Sequence, residues 1–128
     1  MPNSNKRILV VEDDKFLRDL ILKKLKEEQY ETTFAIDGGE AIKKIEEEKP
    51  DLVLLDLILP SLSGFEVLKQ VKADARPEIN SIPVIILSNL GQEDDIKKGI
   101  DLGAKDFLIK AHFTLSEIIG KVKGTLNQ

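Results

Sequence analysis

Short runs of aliphatic residues alternate with longer segments whose apolar positions recur every three or four residues, and the cycle repeats five times without a linker. The runs 8–11, 32–36, 52–55, 84–87 and 107–109 are rich in β-branched and aliphatic residues and bounded by polar residues, Gly or Pro, which predicts β-strands. Four of the five read as buried on both faces. Between them the spacing predicts five helices, with stripes at Leu17, Leu20, Ile21 and Leu25; at Ala41, Ile42 and Ile45; at Phe65, Leu68 and Val71; at Ile96 and Ile100; and at Leu115, Ile118, Ile119 and Val122. Asp13 or Asp14, Asp37 and Ser63 stand where N-caps would start the first three helices. Thr114 and Glu117 have the spacing of a capping box, and Gly103 suits a left-handed cap after the fourth helix. Parallel strands need crossovers, and near-continuous apolar strands need cover on both faces. The alternation therefore predicts a three-layer α/β fold built on a doubly wound, five-stranded parallel sheet.

A length of 128 residues corresponds to a single domain over 1–128, with residues 1–5 a short polar tail. The 41% hydrophobic content is too high for a disordered segment, and the lack of Cys excludes a disulfide framework, a thiolate zinc site and a cysteine nucleophile. The net charge of -4 comes from 23 acidic and 19 basic residues that are intermixed rather than gathered into a basic stripe, so no direct nucleic-acid partner is expected. The apolar stretches are far shorter than the roughly 18–20 residues that span a bilayer, and Glu12-Asp13-Asp14 interrupts the first one too early for a signal peptide. No membrane insertion is expected, and a cytoplasmic location is the default.

Ligands of such sheets bind at the carboxyl ends of the strands, near the point where the strand order reverses. At those ends stand Glu12-Asp13-Asp14 after the first strand, Asp56 after the third, Ser88-Asn89 after the fourth and Lys110 after the fifth. Several carboxylates, one hydroxyl and one ammonium would share one crevice. Carboxylates crowded together need compensating cations. Lys110 and a dication would bring Glu12, Asp13 and Asp56 to neutrality, and oxygen donors without His or Cys suit a hard ion, Mg²⁺. Asp56 ends a wholly apolar strand and presents a single carboxylate, which can attack phosphorus to give an acyl phosphate. Positioning and charge neutralisation are most of what phosphoryl transfer requires, and Lys110, Ser88 and a metal would supply them.

These residues resemble the receiver domains of bacterial two-component response regulators. Ile8 to Asp14 resembles the acidic pair after the family's first strand, and Leu54 to Gly64 resembles the phosphoacceptor strand with its following Pro and Gly. Val84 to Ser88 and Gly103 to Lys110 are similar to the strand that ends in Ser or Thr and to the segment that ends in Lys. The resemblance covers essentially the whole chain. It implies a flavodoxin-like fold with strand order 2-1-3-4-5 and Asp56 as phosphoacceptor. Glu12, Asp13, Asp56 and the Ile58 carbonyl would surround Mg²⁺, Lys110 would contact the phosphoryl group, and Ser88 and Phe107 would form the switch. It further implies a phosphohistidine donor on a sensor histidine kinase or histidine phosphotransfer protein. A downstream protein target would bind the surface of the fourth helix, fifth strand and fifth helix, and the protein would be a monomer or a phosphorylation-dependent dimer. The chemistry implied is self-phosphorylation and self-dephosphorylation, not turnover of a separate substrate. Because the chain ends soon after the fifth helix, output through a partner rather than an attached domain is expected.

Several positions depart from the family's pattern. Ala111 follows Lys110 where Pro is usual; a cis bond there would cost about 2.5–4 kcal/mol, so a trans bond and a shifted loop are expected. Asn89 replaces a small residue, and Phe107 a frequent Tyr. Ile58 and Leu90, two residues beyond Asp56 and Ser88, are bulky and apolar beside the path implied for hydrolytic water, which predicts a long-lived acyl phosphate. His112 reads as a solvated loop residue, and Glu46 to Lys49 as the exposed end of the second helix. An aspartyl phosphatase would carry a general-acid Asp two residues after the nucleophile, where Ile58 stands. A nucleotide or flavin binder would need a phosphate cradle in the first loop, where Glu12 and Asp13 would repel phosphate. A phosphorylation-independent interaction module with the same fold is the remaining alternative.

Overall fold

The computed structural model describes residues 6–127, so the polar tail expected at 1–5 lies outside the described residues. The chain runs β1 (Arg7–Val11), α1 (Lys15–Glu27), β2 (Glu31–Ala35), α2 (Gly38–Glu48), β3 (Leu52–Leu55), α3 (Gly64–Ala73), α4 (Pro77–Asn80), β4 (Val84–Ser88), α5 (Glu93–Asp101), β5 (Asp106–Ile109), a 3₁₀ turn (Lys110–His112) and α6 (Leu115–Leu126). The fourth and fifth helices expected from the sequence are thus α5 and α6. The one-turn α4 is too short to show a period; it opens on Pro77 and plugs the core with Ile79. The Lys110–Ala111 bond is trans and runs into the 3₁₀ turn, where His112 is exposed.

All five strands pair in parallel in the order β2-β1-β3-β4-β5. The period of two sends alternate residues to opposite faces. Leu9, Val11, Val53, Leu55, Val84 and Ile86 pack with Ala41 and Ile45 of α2 and Val67, Leu68 and Val71 of α3. Ile8, Val10, Leu52, Leu54, Ile85 and Leu87 pack with Ile21 and Leu25 of α1 and Ile118, Ile119 and Val122 of α6. Three strands, not four, are buried along most or all of their length: β1, β3 and β4 lie inside the sheet, whereas β2 and β5 are its edges and keep half-exposed positions.

Side-chain caps start α1, α2, α3 and α6, whereas α4 and α5 begin without one. Asp14, not Asp13, caps α1 by accepting from the Phe16 and Leu17 N–H groups; Asp37 and Ser63 cap α2 and α3, and Thr114 and Glu117 form the reciprocal box of α6. Gly103 takes φ 107 just past α5, a conformation that an L side chain rarely adopts. The buried stripe of α1 is turned from the expected one. It consists of Arg18, Ile21, Leu22 and Leu25, while Leu20 is exposed. No helix among the described residues is long and apolar enough to cross a membrane.

Candidate functional site

Parallel pairing brings the carboxyl ends of the strands to one edge, so residues far apart in sequence meet there. Glu12 follows β1 and Asp56 follows β3, its neighbour in the sheet. The Asp56 N–H donates to the Val11 carbonyl at 3.0 Å, which places the two carboxylates side by side. Both are buried, at 2% exposure for Glu12 and 5% for Asp56. Asp13 is exposed, and ligand atoms of Glu12, Asp13 and Asp56 lie within 4.8 Å of one another.

Lys110 follows β5, which is two strands away from β3, a separation of roughly 10 Å that a long side chain can cross. Its Nζ lies 2.8 Å from Glu12 Oε1 and 3.0 Å from Asp56 Oδ2. Burial drives the Glu12 carboxyl above its ordinary range; the hydrogen bond from Lys110 opposes this and the nearby Asp56 charge adds to it. Burial also disfavours the Lys110 ammonium, but its contacts with Glu12 and Asp56 outweigh that and raise its pKa, so it stays charged.

Each carboxylate is partly committed. Glu12 Oε2 accepts from the Asp14 N–H at 3.1 Å, and Asp56 Oδ1 accepts from the Ile58 N–H at 3.3 Å. Asp13 has no hydrogen bond or ion pair among the described residues; the capping role falls to Asp14, which leaves the Asp13 carboxylate open. The donor set is all oxygen and retains a net negative charge after Lys110 is counted, which fits a hard dication.

The remaining expected residues are placed less uniformly. Ser88 is fully buried at the end of β4, and its Oγ accepts from the Leu90 N–H at 3.3 Å rather than meeting Asp56. The Ile58 side chain is 56% exposed. Phe107 is half-buried against the cluster that contains Ile86. Its seat depends on Gly99 of α5, where a Cβ would stand 2.7 Å from Ile86 Cδ1 and 3.1 Å from the Phe107 ring. Sequence reading missed Arg18, whose Nη1 donates to the Glu12 carbonyl at 3.1 Å. The signal was available, since Arg18 shares helical spacing with Ile21, Leu22 and Leu25 and so sits on a stripe where an arginine is out of place.

The chain matches the response regulator receiver domain family over residues 8–123. It belongs to that family. Its receiver domain is 40% identical over 124 residues to the alkaline phosphatase synthesis transcriptional regulatory protein PhoP of Bacillus subtilis, covering 97% of this chain and 50% of that protein, so it spans about half the length of that relative. Among solved structures it is similar to the signal receiver domain of a LuxO repressor protein from Vibrio parahaemolyticus, with TM-score 0.86, 34% identity and coverage of 95% of this chain and 90% of that one. It is also similar to the phosphorylated cyanobacterial phytochrome response regulator RcpA, with TM-score 0.81, 37% identity and coverage of 95% and 91%. This receiver domain thus has the family's sheet order, with an acidic group that could hold a metal at the carboxyl ends of the strands.

Proposed function

We propose that this receiver domain accepts a phosphoryl group on Asp56 from a phosphohistidine of a sensor kinase or histidine phosphotransfer protein, and that the resulting aspartyl phosphate switches its surface for a downstream protein. The observation that carries this reading is the buried Asp56 carboxylate, held by the Lys110 ammonium at 3.0 Å and flanked by Glu12 and Asp13. An Asp56 oxygen attacks phosphorus while the phosphorus–nitrogen bond to the donor histidine breaks, and the imidazole leaves with the electron pair and takes up a proton. Hydrolysis later returns the carboxylate and inorganic phosphate.

Asp13 and Asp56, with Glu12 behind them and the Ile58 carbonyl, would hold Mg²⁺. When bound, the ion supplies positive charge that offsets the charge of the transferring group. Lys110 bridges Glu12 and Asp56 already, so its charge is in place before the donor arrives. Ser88, one strand away from Asp56, can leave its Leu90 contact for a phosphoryl oxygen. Phe107 then follows by moving off its seat over Gly99, which links the site to the face of α5, β5 and α6 as a shift between two populated arrangements. The similarity to a regulator solved in its phosphorylated form supports this reading.

Titration with beryllofluoride and Mg²⁺, followed by ¹⁹F NMR, tests the assignment. A bound fluoride signal that needs Mg²⁺ and disappears in Asp56→Asn is expected. A signal unchanged in that variant would remove Asp56 from the role, and no bound signal at all would favour an interaction module that works without phosphorylation.

A further inference from the structure

Arg18 is a buried cation on the inner side of α1. It is 8% exposed and on the core stripe of α1, and it forms no ion pair among the described residues. Its guanidinium lies 4.8 Å from the centroid of the Phe34 ring, its Nη1 donates to the Glu12 carbonyl at 3.1 Å, and its Nε is buried with no partner. Burying a charge on such terms is costly, and an apolar side chain of similar length would serve packing better. What the arrangement achieves is local: it pins the peptide that joins Glu12 to Asp13.

The rest of Glu12 is pinned as well. Its N–H donates to the Ala35 carbonyl at 3.0 Å, and its two carboxylate oxygens accept from Lys110 and from the Asp14 N–H. With Arg18 on the carbonyl, every polar group of Glu12 has a partner. The next residue, Asp13, has an exposed side chain with no hydrogen bond or ion pair among the described residues, so its aim depends on the backbone that delivers it. The orientation of the Glu12–Asp13 peptide is that backbone. Phe34 holds the guanidinium from the β2 side and is itself held by Lys44, whose Nζ lies 5.1 Å from the ring centroid and donates to the Phe34 carbonyl. A chain of contacts thus runs from the exposed edge strand to the metal-facing loop.

We propose that Arg18 is a positioning residue: clamped on Phe34, it fixes the Glu12–Asp13 peptide and thereby sets the affinity of the acidic group for Mg²⁺. This rests on the reading that Glu12, Asp13 and Asp56 form a Mg²⁺ site. A positioning role and a simple charge effect predict different outcomes. Removing a cation that touches the backbone of the acidic loop would, if Arg18 acted only through its charge, leave dication binding unchanged or tighten it. Loss of positioning weakens it, and outer-shell partners of metal ligands are worth about tenfold or more in affinity.

The experiment is a titration of the full chain with Mg²⁺ alone, read from backbone amide shifts well below every variant's melting transition, with a thermal melt of each variant beside it. Arg18→Met is expected to weaken Mg²⁺ binding about tenfold. Phe34→Leu keeps the charge and donors but removes the stack, on a residue that is 40% exposed and safe to change, and is expected to weaken binding about two- to threefold. Arg18→Lys keeps the charge and one donor and should fall between wild type and Arg18→Met. Unchanged or tighter Mg²⁺ binding in both Arg18→Met and Phe34→Leu, even with lowered melting temperatures, would overturn the inference and make Arg18 a packing residue. If wild type itself bound no Mg²⁺, while its melt showed it folded, the metal-site reading would fail and this inference with it.

Discussion

Replacing Gly64 by alanine should damage this domain more than any other single methyl group added at a described glycine of α3 to α6. A Cβ there would lie 2.2 Å from the Asp56 carbonyl oxygen and 2.7 Å from Leu57 Cα, against an ordinary contact of 3.4–4 Å. The overlap exceeds an ångström and is with backbone, so no rotamer relieves it. The Gly64 N–H also donates to the Leu57 carbonyl at 2.9 Å, which holds the start of α3 against that segment. Overpacking costs 1–3 kcal/mol in general, and rigid neighbours place this case at the top, about 3 kcal/mol. For a domain of this size that lowers the melting temperature by about 10 °C. Two other glycines calibrate the result. At Gly99 the clash is with the ends of the Ile86 and Phe107 side chains, which can move, so Gly99→Ala should cost about 1 kcal/mol after the helix propensity gain is counted. At Gly120, in α6, nothing lies within 4 Å, and Gly120→Ala should stabilise by about 0.5–1 kcal/mol. Thermal melts followed by circular dichroism rank the three. A Gly64→Ala protein melting within about 2 °C of wild type would refute the packing argument, as would a destabilised Gly120→Ala.

The Asp74 carboxyl, bound through both oxygens by Arg76, should titrate at about 2 rather than near 3.8 in a carbon-detected NMR pH series. Its folded value lies below the unfolded one, so the pair adds stability above the ordinary carboxylate range, and that stability is lost as pH falls through about 2; Arg76→Ala should return the midpoint toward 3.8, and no change would count against the pairing. Lys72, whose ammonium donates to the carbonyls of Asn80 at 3.1 Å and Ile82 at 2.7 Å, ties α3 to the segment before β4. Urea unfolding of Lys72→Met should show a loss of about 1–2 kcal/mol, and no loss would mean water replaces the ammonium at no cost. Polar replacements at Ile58 and Leu90 together should speed loss of the phosphoryl group from Asp56 several-fold, measured by its decay after removal of donor; an unchanged rate would show that these side chains do not govern access of water.

The parts of the fold that sequence reading recovers are those set by local period and by caps. Leu52–Leu55 reads as a buried strand because all four residues are aliphatic, and it is β3 to the residue. Thr114 and Glu117 announce α6 by their spacing alone. What escapes depends on neighbours. The fraction of β2 and β5 left exposed follows from their edge positions, which the run of side chains does not reveal. α4 is a single turn whose existence rests on Ile79 reaching the core. Leucine is more apolar than arginine, so the period favours a stripe of Leu17, Leu20, Ile21 and Leu25, but the helix turns Arg18 inward, where the Glu12 carbonyl and the Phe34 ring receive it. The acidic group and Lys110 were legible from strand ends once a parallel sheet was expected. Asp13 and Asp14 are both competent caps, so the helical period alone leaves the cap of α1 open; the family resemblance implies Asp13 as the metal-facing residue, and Asp14 is the cap in the structure.

The central claim is that the Asp56 carboxylate, in its buried acidic setting, takes up a phosphoryl group. Intact mass after incubation with a small acyl phosphate, with and without Mg²⁺, followed by location of the modified residue in a proteolytic digest, tests it most directly. One phosphoryl group added, only with Mg²⁺, mapped to Asp56 and abolished by Asp56→Asn is the expected result. A folded wild-type protein that gains no mass, or one modified at another residue, would contradict the account.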